Sequence, residues 1–421
     1  MLDISMIRET PEVVKESMRR RYMDVSAVEK VLELDAQWRE VLTEGNNLRH
    51  RKNMLAKEIK ELKKKGMDIS EKIKESRELP EKIRHAEEKE KELKEKIRQL
   101  MLQIPNILHE SVPDGVDDTE NVEVRRWGEF KDYGFDLKSH VDIMEDLDLL
   151  DTERAGKVAG SRFYYLKNEA VLLDMALIHF ALRHLRDKSF QLMETPYMLN
   201  RRAVEGCVDM SAFEDVLYKI EDEDLYLIAT SEHTLASQHM DEILEKDDLP
   251  LRYAGFSACF RKEAGAHGKD TKGVFRSHQF NKVEQFVFAE PETSWGEHEL
   301  MIENAEEIFQ KLDLPYRVVN VCTGDLGGVA AKKYDIEAWM PKQEMFREVV
   351  SCSNCTDYQA RELNVRYRTP DGNQFVHTLN STALATSRAM VAIFENNQQE
   401  DGSVVVPEVL RELVGTDRFK K

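Results

Sequence analysis

The sequence predicts an α+β chain: an N-terminal antiparallel coiled-coil hairpin of helices, followed by a mixed region of strands and helices. Two heptad runs near the N-terminus predict the hairpin. Later segments with a two-residue period, bounded by polar turns, predict the strands. No G-x-G-x-x-G or G-K-[ST] phosphate loop occurs to mark a dinucleotide or P-loop fold. At 421 residues the chain is long enough for two or three domains with a substantial core.

Residues 1–24 read as a short helical lead-in, with Pro11 suited to an early helical position. Leu34, Val41, Leu48, Leu55 and Leu62 then recur every seven residues, with Val31, Trp38 and Ile59 on the complementary seam. Gly45 and Lys52 interrupt that seam. A second run places Leu79, Ala86, Leu93 and Leu100 on one track and Ile83, Ile97 and Ile104 on the other, with Glu90 interrupting. Joined at Lys65-Gly66-Met67-Asp68, the arms (about 28–65 and 70–104) fold back on each other as a hairpin. Ser70 is placed to cap the returning helix, and Pro80 is expected to offset its first turn. Ile104-Pro105-Asn106 ends that helix, and the acidic stretch 109–121 reads as a linker. The domains expected are therefore 1–110 and 111–421.

After the linker, 122–127 begins the mixed region, 170–186 is a strongly apolar helix, and 189–196 a strand ending in proline. Residues 224–233 read as a buried strand running into a polar turn, where Thr230 or Ser231 can cap a helix carrying Glu232 in its first turn. Two further strands flank a long polar loop, 264–277, that holds Gly265, His267, Gly268, Lys269, Lys272, Gly273 and Arg276. Such a loop exceeds the usual 2–5 residues of a hairpin. Alternation puts Arg261 and Glu263 on one face of the first strand, and His278, Phe280, Lys282 and Glu284 on one face of the second. A guanidinium, carboxylates and an aromatic ring on one surface suit a nucleoside triphosphate. A solvated basic loop on an antiparallel sheet accounts for the spacing equally well.

Near the C-terminus, Glu348 and Ser351 offer hard oxygen ligands suited to Mg²⁺ beside a triphosphate. Cys352 and Cys355 form one CxxC; with no second pair among Cys207, Cys259 and Cys322, no zinc–thiolate site is expected. Residues 375–380 read as a strand, with Ser381-Thr382 capping a helix from Ala383 to about Glu395 and Arg388 on its second turn.

Phe260-Arg261-x-Glu263, a loop, then Arg276-x-x-x-Phe280 resembles motif 2 of the class II aminoacyl-tRNA synthetases. The longer string Gln279-Phe-Asn-Lys-Val-Glu284 is similar to the seryl-tRNA synthetase family in particular. The helix–strand–Pro196 unit resembles motif 1, and the strand–helix–Arg388 unit motif 3, with Ser381, Ala383 and Ser387 where many relatives carry glycine. The implied catalytic fold is an antiparallel sheet flanked by helices. The implied reaction is ATP-dependent attachment of L-serine to tRNA(Ser) through seryl-adenylate, and to tRNA(Sec) where that tRNA exists. By motif position, the resemblance casts Arg261 and Arg388 as catalytic and Thr230, Ser231, Glu232, Arg261, Glu284 and Thr382 as serine-binding. ATP would meet Arg261, Lys262, Glu263, Arg276, Ser277, Phe280, Glu348 to Ser351 (with Val349 and Val350) and Arg388. Glu348 and Ser351 would hold Mg²⁺, and motif 1 would form a homodimer.

The net charge of −19 is unusual for a nucleic-acid partner, but its distribution is uneven. Residues 28–103 carry 20 Lys+Arg against 17 Asp+Glu, a net of +3; residues 1–27 balance at 5 against 5. The remainder carries 36 against 58, a net of −22. Arg49, Arg51, Lys52, Lys57, Lys60, Lys63, Lys64 and Lys65 gather on the distal hairpin. A charged coiled-coil face can be merely solvated; by resemblance this one grips the long variable arm of tRNA(Ser), read by shape and backbone. With 33% charged residues and no run of about 18 apolar ones, a soluble, membrane-free chain is expected. Five cysteines and the absence of a visible secretory signal lead to the expectation of a cytoplasmic setting. A class II paralogue without tRNA, or a coiled-coil scaffold with a nucleotide-binding appendage, are the rival readings.

Overall fold

The computed structural model describes residues 1–208, 215–263 and 272–421. Its two compact units are Leu2–Pro105 and Asn106–Lys421, the latter together with Met1.

The first unit is all helical: α1 (Ile4–Glu9), α2 (Pro11–Arg20), α3 (Ser26–Lys64) and α4 (Ser70–Met101). Pro11 takes the first helical position, where its missing N–H costs nothing. With 39 and 32 residues, α3 and α4 run roughly 58 and 48 Å at 1.5 Å per residue. Val31, Val41 and Leu55 of α3 and Leu79, Ala86, Leu93 and Ile97 of α4 are buried between them, as the heptads require. Gly45 belongs to this seam: a Cβ there would lie 3.8 Å from the Cβ of Ala86, so two small residues meet where the helices approach closely. Asp35 is 1% exposed and accepts from Arg8 (2.6 and 2.9 Å), with Arg39 at 3.0 Å, tying the lead-in to α3.

Two details of the hairpin depart from expectation. Ser70 is the first residue of α4 rather than its cap, and its N–H and hydroxyl both bond the Asp68 carboxylate (2.9 and 2.7 Å), which closes the turn. Pro80 sits inside a continuous α4 instead of offsetting its first turn. Its neighbour Leu79 and Ala86 beyond it are buried, so packing offsets the backbone bond that proline removes.

The second unit is built on an eight-stranded sheet: β1 (Val122–Trp127), β2 (Gln191–Glu194), β3 (Leu251–Phe260), β4 (Gln279–Ala289), β5 (Tyr316–Asn320), β6 (Lys332–Met340), β7 (Met345–Asn354) and β8 (His377–Ala385). Their order is β1-β5-β6-β7-β8-β4-β3-β2, antiparallel throughout except β2 beside β3. Ile336, Val350, Leu379, Val283 and Val287 share one core with α5 (Glu169–Asp187), α7 (Ser294–Lys311) and α8 (Thr386–Asn396). On the other face, Tyr253, Phe286 and Phe288 pack in a second core with Leu235 of the short helix α6 (Glu232–Ser237).

The segment 109–121 is laced into this unit rather than forming a free linker. His109 N–H donates to Ala331 O (2.9 Å), Thr323 N–H to Pro113 O (2.9 Å) and Gly324 N–H to Gly115 O (2.8 Å). Its acidic side chains face outward, while Val112 is 2% exposed.

The region around 381–388 also differs. Ser381, Thr382 and Ala383 belong to β8, because pairing with β4 continues through Ala385 and overrides local cap chemistry. The helix begins at Thr386, so Arg388 lies on its first turn rather than its second.

Replacing Asp35 with Ala is expected to cost about 1–3 kcal/mol through the lost charged hydrogen bonds. Urea unfolding of the full chain followed by far-UV circular dichroism would register it as an earlier loss of helix signal.

Candidate active site

Two departures from regular pairing decide which side chains reach the sheet face opposite the helices. Ile336 pairs with Val350 and Glu337 with Glu348, leaving Val349 as an extra residue on β7. Glu348 and Ser351 are three apart and would face opposite ways on a regular strand; the bulge turns both to one face. Likewise Thr382 pairs with Glu284 and Leu384 with Val283, so Ala383 is extra on β8. Thr382 and Ala385 therefore share a face with Glu284 and Lys282.

This face floors a cleft of about 280 Å³ lined by Thr230, Glu232, Arg261, Lys282, Glu284 and Thr382 at one end and by Lys333, Glu348, Ser351 and Arg388 at the other. A second hollow of about 220 Å³ shares Arg261, Phe280, Glu348 and Arg388 with it and adds Glu263, Phe275, Arg276 and Ser277. One continuous site thus collects most of the residues singled out from the sequence. Arg261 and Glu263 get there from just beyond β3, which ends at Phe260, and not from the strand itself. Lys262 is exposed and lines neither hollow; its N–H donates to Val216 O (2.8 Å). Ser231 and Val350 are fully buried beneath the cleft. Gly265, His267, Gly268 and Lys269 lie outside the described residues.

At the first end, Thr230 Oγ1 accepts from Glu232 N–H (3.2 Å), one residue ahead of the cap position; Ser231 occupies that position and makes no capping bond with its side chain. Ser231 Oγ bonds Gly255 O (3.3 Å), and Gly255 pairs with Glu284 across the sheet. A Cβ on Gly255 would come 2.7 Å from Leu235, so the missing side chain lets α6 settle on the sheet and carry Glu232 over Glu284. Glu232 Oε1 accepts from Gln359 and Asn380 (both 3.1 Å). Burial, then the charge of Glu284, pushes the Glu232 carboxyl up to about 7. Burial raises Glu284 as well, against the pull of Lys282, whose Nζ lies 2.5 Å from Oε2. Arg261 donates to Ala229 O (3.2 Å) and stands over Phe280 at 5.2 Å.

At the other end, Arg388 donates to Glu348 Oε1 (2.9 Å) and to its carbonyl (3.0 Å). Burial favours the neutral acid at Glu348, but Arg388, Lys333 and Arg261 outweigh it and hold the carboxyl well below its usual range. The buried Asp335, paired across the sheet with Ser351 and 3.2 Å from Lys333 Nζ, is shifted the opposite way by burial. Phe275 is flanked by Arg347 (4.2 Å) and Arg388 (5.4 Å). Glu263 accepts from Arg276 at 3.5 Å.

Sequence reasoning gave no role to Lys282, Lys333, Asp335, Asn380 or Gln359. The alternation that puts Lys282 on the same face as Phe280 and Glu284 was the available signal for Lys282. Asn380 and Gln359 carried none, because a buried amide looks like any other polar residue until its partner is placed.

The arrangement pairs a cation-and-carboxylate pocket with an aromatic and cationic hollow, sized for a small zwitterion beside a nucleotide. The chain as a whole is similar to known proteins. Residues 1–108 match the family model of the seryl-tRNA synthetase N-terminal domain, and 217–397 that of the class II tRNA synthetase core domain (G, H, P, S and T). A serine–tRNA ligase from Methanospirillum hungatei is 54% identical, with both chains covered completely. A Pyrococcus horikoshii seryl-tRNA synthetase complexed with ATP superposes with a TM-score of 0.95 at 53% identity, covering 100% of this chain and 99% of that one. A Naegleria fowleri serine–tRNA ligase in complex with AMP gives 0.89 at 40% identity over the same shares.

Changing Glu284 to Gln removes one of the two facing negative charges. The Glu232 titration is then expected to fall from about 7 toward the ordinary carboxylate range, followed by ¹³C NMR of labelled glutamate side chains.

Proposed function

The chain belongs to the seryl-tRNA synthetase family and attaches serine to tRNA at the expense of ATP, and from that premise we propose how its own residues divide the work. The observation that carries the assignment is the single cleft with Arg261 at its centre, carboxylates Glu232 and Glu284 on one side and Phe280 with Arg276 and Glu263 on the other.

Arg261 sits where it can hold both the carboxylate of serine and the α-phosphate of ATP. Glu232 takes the ammonium of serine, and Glu284 with Thr382 takes its hydroxyl. Phe280 supports the adenine ring, Glu263 accepts from its amino group, Arg276 meets the outer phosphates and Arg388 covers the nucleotide. The serine carboxylate attacks the α-phosphorus; pyrophosphate leaves and seryl-adenylate forms. The terminal ribose hydroxyl of tRNA then takes the seryl group and AMP departs. A carboxylate is already nucleophilic at pH 7, so the first step needs no protein base, and the residues act by positioning and charge stabilisation.

Glu348 and Ser351 fit Mg²⁺: both present oxygen to the cleft, the bulge at Val349 brings them to one face, and Glu348 is held ionised. A bound Mg²⁺ would neutralise phosphate charge there. Arg388, now on Glu348, would be released toward the nucleotide.

The distal hairpin supplies the tRNA contact. Lys52, Lys57, Lys60, Lys63, Lys64 and Lys65 are exposed, whereas Arg51 is committed to Glu75 (2.6 Å) and Glu58 (3.0 Å) and Arg49 to Glu87 (3.3 Å). The six lysines are therefore the cations offered to the phosphates of a long variable arm, on tRNA(Ser) and equally on tRNA(Sec). Homodimerisation through motif 1 is supported by the exposed Leu172 and Met175 on α5 and Leu192 on the edge strand β2. No helix among the described residues is long and apolar enough to cross a membrane, and a cytoplasmic setting suits a tRNA partner.

Arg261→Ala is expected to lower serine-dependent exchange of labelled pyrophosphate into ATP by at least a hundredfold; unchanged exchange would sink the assignment. Excising 34–100 with a short linker should spare that exchange and cut charging of tRNA(Ser), and equal charging would remove the hairpin's role. Met175→Asp should convert a dimer to monomers in sedimentation equilibrium, whereas a monomeric parent would refute the motif 1 interface.

A further inference from the structure

Lys282 is a buried cation that the activation chemistry leaves unused. It is 6% exposed and sits two residues before Glu284, on a strand with neighbours on both sides. Its Nζ meets Glu284 Oε2 at 2.5 Å, and Thr382 Oγ1 donates to the same oxygen at 3.4 Å. Both contacts fall on Oε2, so Oε1 is the oxygen left to accept a bond from a ligand. Burying such a pair seldom stabilises a fold, because desolvating two ions consumes what their attraction returns. Stability alone is therefore a poor reason for this lysine.

The charges of the pocket give a better one. Glu284 is faced by Lys282 on its own strand, by Cys259 from β3 and Arg261 just beyond it, by Glu232 from α6 and by Cys352 from β7, with His233 near Lys282. Arg261 and Glu232 match the two charges of a zwitterionic amino acid. Lys282 and Glu284 cancel one another, which leaves a neutral pair beside the one uncharged polar group of serine.

We propose that Lys282 is a positioning residue that pins Glu284 through Oε2, keeping Oε1 ionised and aimed as the acceptor for the hydroxyl of serine. The proposal rests on the reading that Glu284 faces that hydroxyl. A fixed acceptor left unbonded by alanine penalises alanine, whereas a mobile or protonated one would not.

The test is steady-state pyrophosphate exchange with serine and alanine, between pH 5.5 and 9, for Lys282→Met, Lys282→Arg, Glu284→Gln and the Lys282→Met/Glu284→Gln double variant. Lys282→Met is expected to raise KM for serine about tenfold or more, with kcat and KM for ATP within about twofold. Its acid limb in kcat/KM for serine moves at least one pH unit upward and steepens, since Glu284 now titrates alongside Glu232. Lys282→Arg restores KM to within about threefold. A Lys282→Met enzyme with the parental KM and pH profile overturns the proposal. An unchanged serine KM in Glu284→Gln overturns the pocket reading instead. Should Lys282→Met fail to fold, the double variant, whose pair is neutral, decides. A serine KM equal to that of Glu284→Gln supports action through Glu284, and a further loss of more than fivefold shows Lys282 acting on its own account.

Discussion

Four charges on one sheet face, Arg261 and Lys282 against Glu232 and Glu284, are the constraint on which the catalytic unit depends. Two ammonium or guanidinium groups and two carboxylates in so small a space tolerate each other only because they sum to zero. Lys282 and Glu284 are neighbours on one face of β4, and a turn brings Glu232 over the sheet above them. Gly255 gives that turn its room. The elevated titration of Glu232 reflects its burial first and the negative charge of Glu284 second.

The helical hairpin was legible in the sequence almost to the residue. Heptads report a periodic interface, and Val31, Val41, Leu55, Leu79, Leu93 and Ile97 are buried where the period puts them. Even Gly45, which breaks the pattern as a letter, fits it as a shape, because Ala86 leaves the space opposite. Of the two motif 2 strands, the second was legible by alternation at Phe280, Lys282 and Glu284, whereas Arg261 and Glu263, read as part of the first, lie beyond its end at Phe260. What local sequence misjudged was decided by partners distant in the chain. Thr382 looks like a cap but is recruited into β8 by Glu284, 98 residues earlier. Pro80 looks like a helix start but is carried by packing against α3. Asp68, not Ser70, closes the hairpin turn, and the acidic stretch 109–121 is held by backbone bonds that no composition reveals.

The two units divide opposite electrostatic tasks. The sheet unit holds most of the negative charge, and the cations inside its cleft are set against carboxylates and aromatic faces. The hairpin keeps Arg49 and Arg51 in its own ion pairs and leaves Lys52, Lys57, Lys60, Lys63, Lys64 and Lys65 to solvent. Long, entropically free lysine stems suit a backbone-tracking surface, whereas planar guanidinium groups suit fixed geometry. Sorting the two cation types between these duties within a single arm shows that total basic charge is a poor guide to which groups meet a polyanion.

The bulges at Val349 and Ala383 set limits on how this fold can vary in length. On a regular strand, removing one residue shortens it; here, removing Val349 or Ala383 would restore strict alternation and send Glu348 or Thr382 to the face packed by helices. Insertion of a residue at the same places would do equal damage. β7 and β8 can therefore accept changes of side chain far more readily than a change of one in residue count, and insertions or deletions are confined to the loops that join them.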